Sequence, residues 1–482
     1  MARIIVIGAG MAGLAAAARL ARRDNHVVVC EASAQVGGAL GSWRHDDFTF
    51  DTGAHTLTLP AVYRDLFIKT GSRKKSAAAA LEDRVDLRPV DPVRRYLFPD
   101  GTRLDLPNAS RGRLHAAVDE ALGTGTGDAW LRVIDHGSAV WDAIRPALVE
   151  APGSDGRELV QLLRTADGRR AITPLRRLRD LVEHGGLADP RLRLVVDDYA
   201  RQAGADPRRA PAVLAARPYI EHAFGTWRIV GGMHRLAEAL GQRVLDRGAE
   251  LRHGARVVRI EVSRSGAVSG VHLDGGERLV ADVVVAAVDR AVLARLLGKP
   301  RQPGSSISLR LKSQQIQQQQ PRSSYSQYSQ YSRYSAGVTT LCLVVDDAPT
   351  MPHETVLLDD RGPAVRIHVA AEQPSAWTVH VPGDHEPEAV LARLAARGFD
   401  VREKVRVQHT ITVADRETAT GVPGGAAYGP AVTGLRSALL RSPIVQPVRG
   451  LFHVGASARP GSGLPFVALS GWQAAELIKA SG

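Results

Sequence analysis

Residues 4–31 restrict the fold of this chain more than any other stretch. An apolar run, Ile4-Ile5-Val6-Ile7, enters Gly8-Ala9-Gly10-Met11-Ala12-Gly13, and a helix-like stretch from Leu14 to Arg23 follows at once. Each glycine has a steric reason: Gly8 makes the tight turn, Gly10 lets backbone approach a pyrophosphate, and Gly13 lets helix and strand pack closely. The first helical turn, with the amides of Met11 and Ala12, offers free N–H groups and a positive dipole end to phosphates. A second run, His26 to Cys30, ends in Glu31. That is close to the spacing of roughly 20 residues at which an acid accepts hydrogen bonds from an adenosine ribose. Its charge repels a 2′-phosphate, so the ligand is FAD or NAD rather than NADP.

The competing reading of residues 1–22 is a secretory leader. It leaves three spaced glycines without a purpose, and its charged start would be Arg3 alone.

Two further segments extend the pattern. Gln35-Val36-Gly37-Gly38-Ala39-Leu40-Gly41 carries a paired glycine, and Phe48-Thr49-Phe50-Asp51-Thr52-Gly53-Ala54-His55 follows it. Near the other end, Gly450-Leu451-Phe452-His453-Val454-Gly455 leads through a Gly/Pro-rich turn to Gly463-Leu464-Pro465-Phe466-Val467-Ala468. With these residues the chain resembles the phytoene desaturase-type carotenoid and polyisoprenoid desaturases of the flavin amine oxidase superfamily. The run Thr58 to Phe67 looks more like the desaturase branch than the amine oxidase branch.

The resemblance implies an α/β fold: a Rossmann-type FAD-binding domain with an inserted α+β substrate domain. It places Gly37, Gly38 and Ala39 beside the FAD phosphates, Gly53 and Ala54 along the isoalloxazine, and the backbone at Val257 near the adenine. Gly455, Pro465, Phe466 and Val467 then close the site, with helix N–H groups turned to the flavin's pyrimidine edge, where negative charge collects on reduction. The implied chemistry is oxidation of a lipophilic polyisoprenoid: hydride goes from carbon to flavin N5 and a proton leaves the neighbouring carbon. His55 is the candidate catalytic base, since an imidazole accepts a proton near neutral pH. Desaturases commonly carry Gly-Pro-Ser where this chain has Gly53-Ala54-His55, and Ala39 stands where many flavin oxidases carry an arginine. Other readings within the superfamily are an amine oxidase, a protoporphyrinogen oxidase or a secondary-metabolite tailoring oxidase; a non-catalytic escort of prenylated proteins is a third class.

The expected domain map is discontinuous. Residues 1–60, 225–300 and 445–482 form the FAD-binding domain, 61–224 a helix-rich and 337–444 a strand-rich part of the substrate domain. Residues 301–336 form a Ser/Gln/Tyr insertion expected to be disordered, for want of aliphatic residues to bury.

Composition narrows the setting. No apolar run reaches the ~18 residues of a spanning helix. Cys30 and Cys342 read as buried small hydrophobes of a cytoplasmic protein, with neither a disulfide framework nor a metal-ligand cluster. A net charge of +12 permits attraction to anionic partners. The arginines are scattered and match no nucleic-acid motif, so peripheral membrane contact is the partner they favour. Thr173-Pro174 are expected to start a helix with Leu175, Leu178, Leu181 and Val182 as its apolar stripe. Oligomeric state is not readable.

Overall fold

Short apolar runs bounded by glycine build the first sheet. In this computed structural model, which describes residues 2–21, 25–71, 80–153, 157–183, 189–298, 334–360 and 364–481, Ala2–Ile7 lies at the centre of a five-stranded sheet. The order is Leu451–His453, Val283–Ala286, Ala2–Ile7, Asn25–Cys30, Glu250–Arg252. All neighbours are parallel, Ile4 pairing with Val27 on one side and Val283 on the other. Parallel strands need cover on both faces, hence unbroken apolar sequences rather than alternating ones.

Helix Met11–Leu20 packs on this sheet, and helix Leu464–Ser481 packs on that helix. The crossing is close because Gly471 has no side chain: a Cβ there would lie 2.4 Å from the Ala12 carbonyl oxygen. Helix Ala61–Thr70, which the sequence reading puts at the start of the substrate domain, joins the same core through Tyr63 and Phe67. A three-stranded antiparallel sheet, Val257–Val262, Val268–Leu273 and Arg278–Val280, flanks it.

The second unit is built on a seven-stranded mixed sheet, ordered Val405–Ile411, Val338–Val345, Gln373–Pro382, Val365–Ala370, Glu354–Leu357, Arg94–Leu97, Arg103–Leu106. Strand alternation divides its faces. Val365, Ile367, Val369, Trp377, Val379 and Val381 pack under helix Pro387–Ala395. The intervening Arg366, His368 and Thr378 point the other way, yet all three are buried. Buried polar side chains need partners, so this inner face is organised around polar groups. Helices within residues 111–224 cover one end of the sheet through Tyr96, Leu104, Trp130 and Tyr199.

The expected helix after Thr173-Pro174 is not formed. Thr173 has a left-handed backbone (φ 42°, ψ 65°) and caps the end of helix Ala166–Ile172, and the helical turn Asp180–Glu183 starts only later. Leu178, Leu181 and Val182 are buried, while Leu175 is 96 % exposed; the four do not form one stripe. The reason is local: Leu178 N–H is drawn to Ala210 C=O at 2.8 Å, so the segment follows a neighbouring chain rather than its own helix. Most of the Ser/Gln/Tyr insertion lies outside the described residues; at its end the Tyr334 hydroxyl donates to Asp289 (2.6 Å).

Candidate active site

Two chain ends meet to form a cradle. Gly8 takes φ +97°, and a Cβ on it would come within 2.9 Å of Ala287 O; at Gly13 a Cβ would lie 2.0 Å from Gly8 O. At Gly10 nothing lies within 4 Å, so space opens directly over the turn. No side chain caps the following helix and no acid sits in its first turn. The first intrahelical bond runs from Leu14 N–H to Gly10 C=O (3.0 Å), which leaves the Met11, Ala12 and Gly13 amides for an outside acceptor.

The acid at the end of the second strand is held firmly. Glu31 Oε2 accepts the Ala9 N–H (2.7 Å), and Oε1 accepts the Ser33 N–H and hydroxyl (2.8 Å each). With two lone pairs per oxygen, Oε2 keeps one acceptor site for a ribose hydroxyl. The segment leading to Val257 runs alongside, Ala255 N–H donating to Glu31 C=O (2.8 Å). Gly37 N–H donates to Ala9 C=O (2.9 Å), and a Cβ at Gly38 would come 3.2 Å from Gly10 Cα. The paired glycine therefore forms the second lip of the turn. Gly53 packs against Ala39, whose carbonyl oxygen would be 1.8 Å from any Cβ there, with exposed Ala54 next to it.

From the other end of the chain, Gly455 (φ +112°) comes to Ala12, a Cβ on it lying 3.9 Å from the Ala12 methyl. Its N–H is fixed by Ser470 Oγ (2.9 Å), one turn and more into the closing helix. Pro465 is buried at the start of that helix, Phe466 and Val467 are half-buried, and no acid occupies its first turn. An open glycine turn, an uncapped helix start, a spare carboxylate lone pair and a second helix start facing the same region together fit a flavin dinucleotide.

Asp51 ties the Phe48–Asp51 strand to the middle flavin segment. It accepts the Met233 and His234 amides (2.6 and 3.0 Å) and contacts His234 Nδ1 (2.9 Å). Burial works to raise this carboxyl, but the His234 hydrogen bond and the neighbouring His55 hold it below its ordinary range.

His55 itself turns toward the large sheet. Its Nε2 lies 2.9 Å from His380 Nε2, and its backbone carbonyl faces His353 Nε2 at 3.0 Å. The chain continues from His380 Nδ1 to Thr340 Oγ1 (2.7 Å), which accepts from Arg416 Nη2 (2.5 Å). His368 stacks on His55 and its Nδ1 is buried without a partner. Burial pushes His55 down to about 4, and His353 and Arg416 act in the same direction. Burial first, and then His55, hold His368 and His380 well below the usual imidazole range. All three shifts favour neutral imidazoles at pH 7, and a neutral ring can donate from Nε2 to the Nε2 that faces it.

Sequence reasoning singled out His55 and missed His353, His368 and His380, though Arg366-x-His368 and Thr378-x-His380 are polar alternations inside apolar strands. The three nitrogen-bearing rings of His55, His368 and His380 form a cluster not visible in residue spacing, since their ligating atoms lie within 4.8 Å of one another. Beyond His368 the same face carries a buried ionic group. Arg94 pairs with Glu354 (3.0 Å) and Glu221 (2.8 Å), and Arg366 bridges Glu354 and Asp198.

Residues 11–333 match the family model of flavin containing amine oxidoreductases. The hydroxyneurosporene desaturase of Cereibacter sphaeroides is 31% identical over 99% of this chain and 97% of its own length. The 4,4'-diapolycopene oxygenase of a Methylomonas species is 28% identical over 97% and 96%. Among solved structures, putrescine oxidase bound to putrescine matches with a TM-score of 0.65 at 17% identity, covering 99% of each chain, a likeness of fold. By the family model and these relatives, the chain belongs to the flavin containing amine oxidoreductase family, in its carotenoid desaturase branch, and is an FAD-dependent oxidoreductase.

Proposed function

We propose that the substrate is a lipophilic polyisoprenoid of the carotenoid type and that the reaction introduces C=C bonds into it. The observation that carries this reading is a cleft of about 740 Å³, open solvent at its mouth included, walled by Trp141, Ile144, Val213, Ile220 and Leu439 and reaching Pro460, Gly461 and Phe466 of the closing flavin segment. A lining of this kind suits an apolar ligand, and the names of the curated relatives point to the same substrate class.

FAD, when bound, takes the hydride from carbon. The amides of residues 11–13 would hold its phosphate, Glu31 its ribose, and Val257, Gly37, Gly38, Ala39, Gly53 and Ala54 would line its length. Trp141 and Phe466, 6.3 Å apart edge to face, wall off water beside the apolar chain. We assign His55 the proton from the neighbouring carbon. His380 Nε2, 2.9 Å from His55 Nε2, and Thr340 on the other nitrogen of His380 hold the His55 ring in position for this.

Peripheral membrane contact would deliver such a substrate. No helix among the described residues is long and apolar enough to cross a membrane. Support comes instead from Leu175, 96 % exposed and set beside exposed Arg176 and Arg177, with Arg169 and Arg170 nearby in sequence and equally exposed. An exposed apolar side chain in an arginine-rich stretch suits an anionic lipid surface.

The test is anaerobic: FAD-loaded protein mixed with liposomes carrying phytoene, with an amine panel in parallel, following loss of oxidised-flavin absorbance. Bleaching by the polyene supports the reading; bleaching by amines alone overturns it.

A further inference from the structure

The apolar cleft contains two cations that the reaction on a plain hydrocarbon does not need. Arg217, in the first turn of helix Ala216–Phe224, and Arg441, just beyond helix Leu435–Leu439, both line it. Among the described residues neither has a carboxylate within ion-pairing distance. Arg217 donates to Gln202 C=O (3.3 Å) and Arg441 to Pro430 C=O (2.6 Å), a small part of the five N–H groups each guanidinium carries.

The nearby acids hydrogen-bond to other groups. Glu221, in the helix of Arg217, is taken by Arg94 (2.8 Å) and by the Tyr199 hydroxyl. Asp289 accepts the Tyr334 hydroxyl (2.6 Å) and the Ala291 N–H (2.8 Å). Burial pushes Arg441 down to about 10, with Arg217 and Arg290 adding to the effect and Asp289 opposing it; burial lowers Arg217 too, against Tyr428 and Glu221. Two like charges in an apolar wall cost free energy unless something negative joins them. An arginine pair is suited to gripping a planar carboxylate through paired N–H···O bonds.

We propose that the cleft binds an apolar chain that ends in a carboxylate, with Arg217 and Arg441 clamping the carboxylate and Trp141, Ile144, Ile220 and Phe466 surrounding the chain. This rests on the reading of the cleft as the substrate site and specifies its substrate as a polyisoprenoid acid.

The test is direct binding to the FAD-loaded full chain. All-trans-retinoic acid and its methyl ester, which share one polyene and differ in charge, are titrated against tryptophan fluorescence. The acid is expected to bind roughly tenfold or more tighter than the ester, the scale of a charge-assisted hydrogen bond. Arg217→Met and Arg441→Met should erase that preference, and Arg441→Lys should keep much of it. Equal binding of acid and ester to the unaltered protein overturns the carboxylate clamp and leaves the apolar cleft standing. Binding of neither overturns it as well, and the phytoene bleaching assay then tells whether the substrate reading falls with it. The acid-to-ester ratio of the unaltered protein decides the matter even where a methionine variant does not fold.

Discussion

The imidazole of His55 lies parallel to that of His368, ring centroids 3.7 Å apart and planes 5° from parallel. Stacking at this distance favours neutral rings, because a proton on one would face the other's developing charge with no water between them.

The stability of the protein should therefore fall as pH drops below neutrality. His55 is held near 4 when folded, against roughly 6.5 in the unfolded chain. Between those values the unfolded state binds more protons, so the contribution is complete above pH 6.5 and is lost as pH falls toward 4. From pH 7 to pH 5, His55 alone accounts for about 2 kcal/mol, and His368 and His380 act in the same direction. Urea unfolding at the two pH values measures the difference. His55→Gln should reduce it by the His55 share, and an unchanged slope in that variant would mean other groups are responsible.

Glu31→Gln should loosen the cofactor while leaving the fold intact. An amide has one oxygen where the carboxylate serves Ala9 and Ser33 with two. One donor then loses its acceptor, and FAD affinity is expected to drop roughly ten- to hundredfold. Flavin fluorescence recovered during dialysis reads this directly.

Gly471→Ala and Gly112→Ala are expected to behave oppositely. A Cβ at 471 meets Ala12 O at 2.4 Å and Ala16 N at 2.8 Å, both backbone atoms that do not step aside. About 1–3 kcal/mol of destabilisation should accompany a lower flavin-to-protein ratio. A Cβ at 112 meets nothing within 4 Å. In helix Arg111–Leu122 that change should raise Tm slightly or leave it alone, as thermal melts of the two variants will reveal.

Arg366→Met should be among the most damaging single changes in the second unit. It strands Glu354 and Asp198, both nearly inaccessible, with one guanidinium fewer. The expected loss is roughly 3–5 kcal/mol, read as a drop in the urea midpoint. A change under about 1 kcal/mol would mean that water or Arg94 takes over both acids.

Features carried by neighbours in sequence were legible. Gly8, Gly13 and Glu31 act through atoms a few residues away or through one strand pairing, and the structure sets them round a single turn. Cys30 and Cys342 are buried, their thiols pushed up by burial to about 11 and about 12. His55 stood out only through its place after Asp51-Thr52-Gly53-Ala54. Its partner His380 lies 325 residues further on, and strand pairing of Arg366 with His380 brings that residue into place. No local spacing encodes such a meeting. Thr173-Pro174 misled for the opposite reason: a residue type that starts helices there ends one, and the buried leucines that follow answer to Ala210 rather than to a helical period.

The close crossing of Gly471 over Ala12 also orders events in time. During synthesis the glycine turn and Glu31 emerge well before strand Leu451–His453, which extends the sheet, and the closing helix, which covers its first helix. A nascent chain stalled before residue 451 holds half a cradle with Ala12, Ala15 and Ala16 uncovered. The alanine face of helix Met11–Leu20 thus stays without its cover until a segment far down the chain has been made, an interval in which exposed apolar surface invites aggregation.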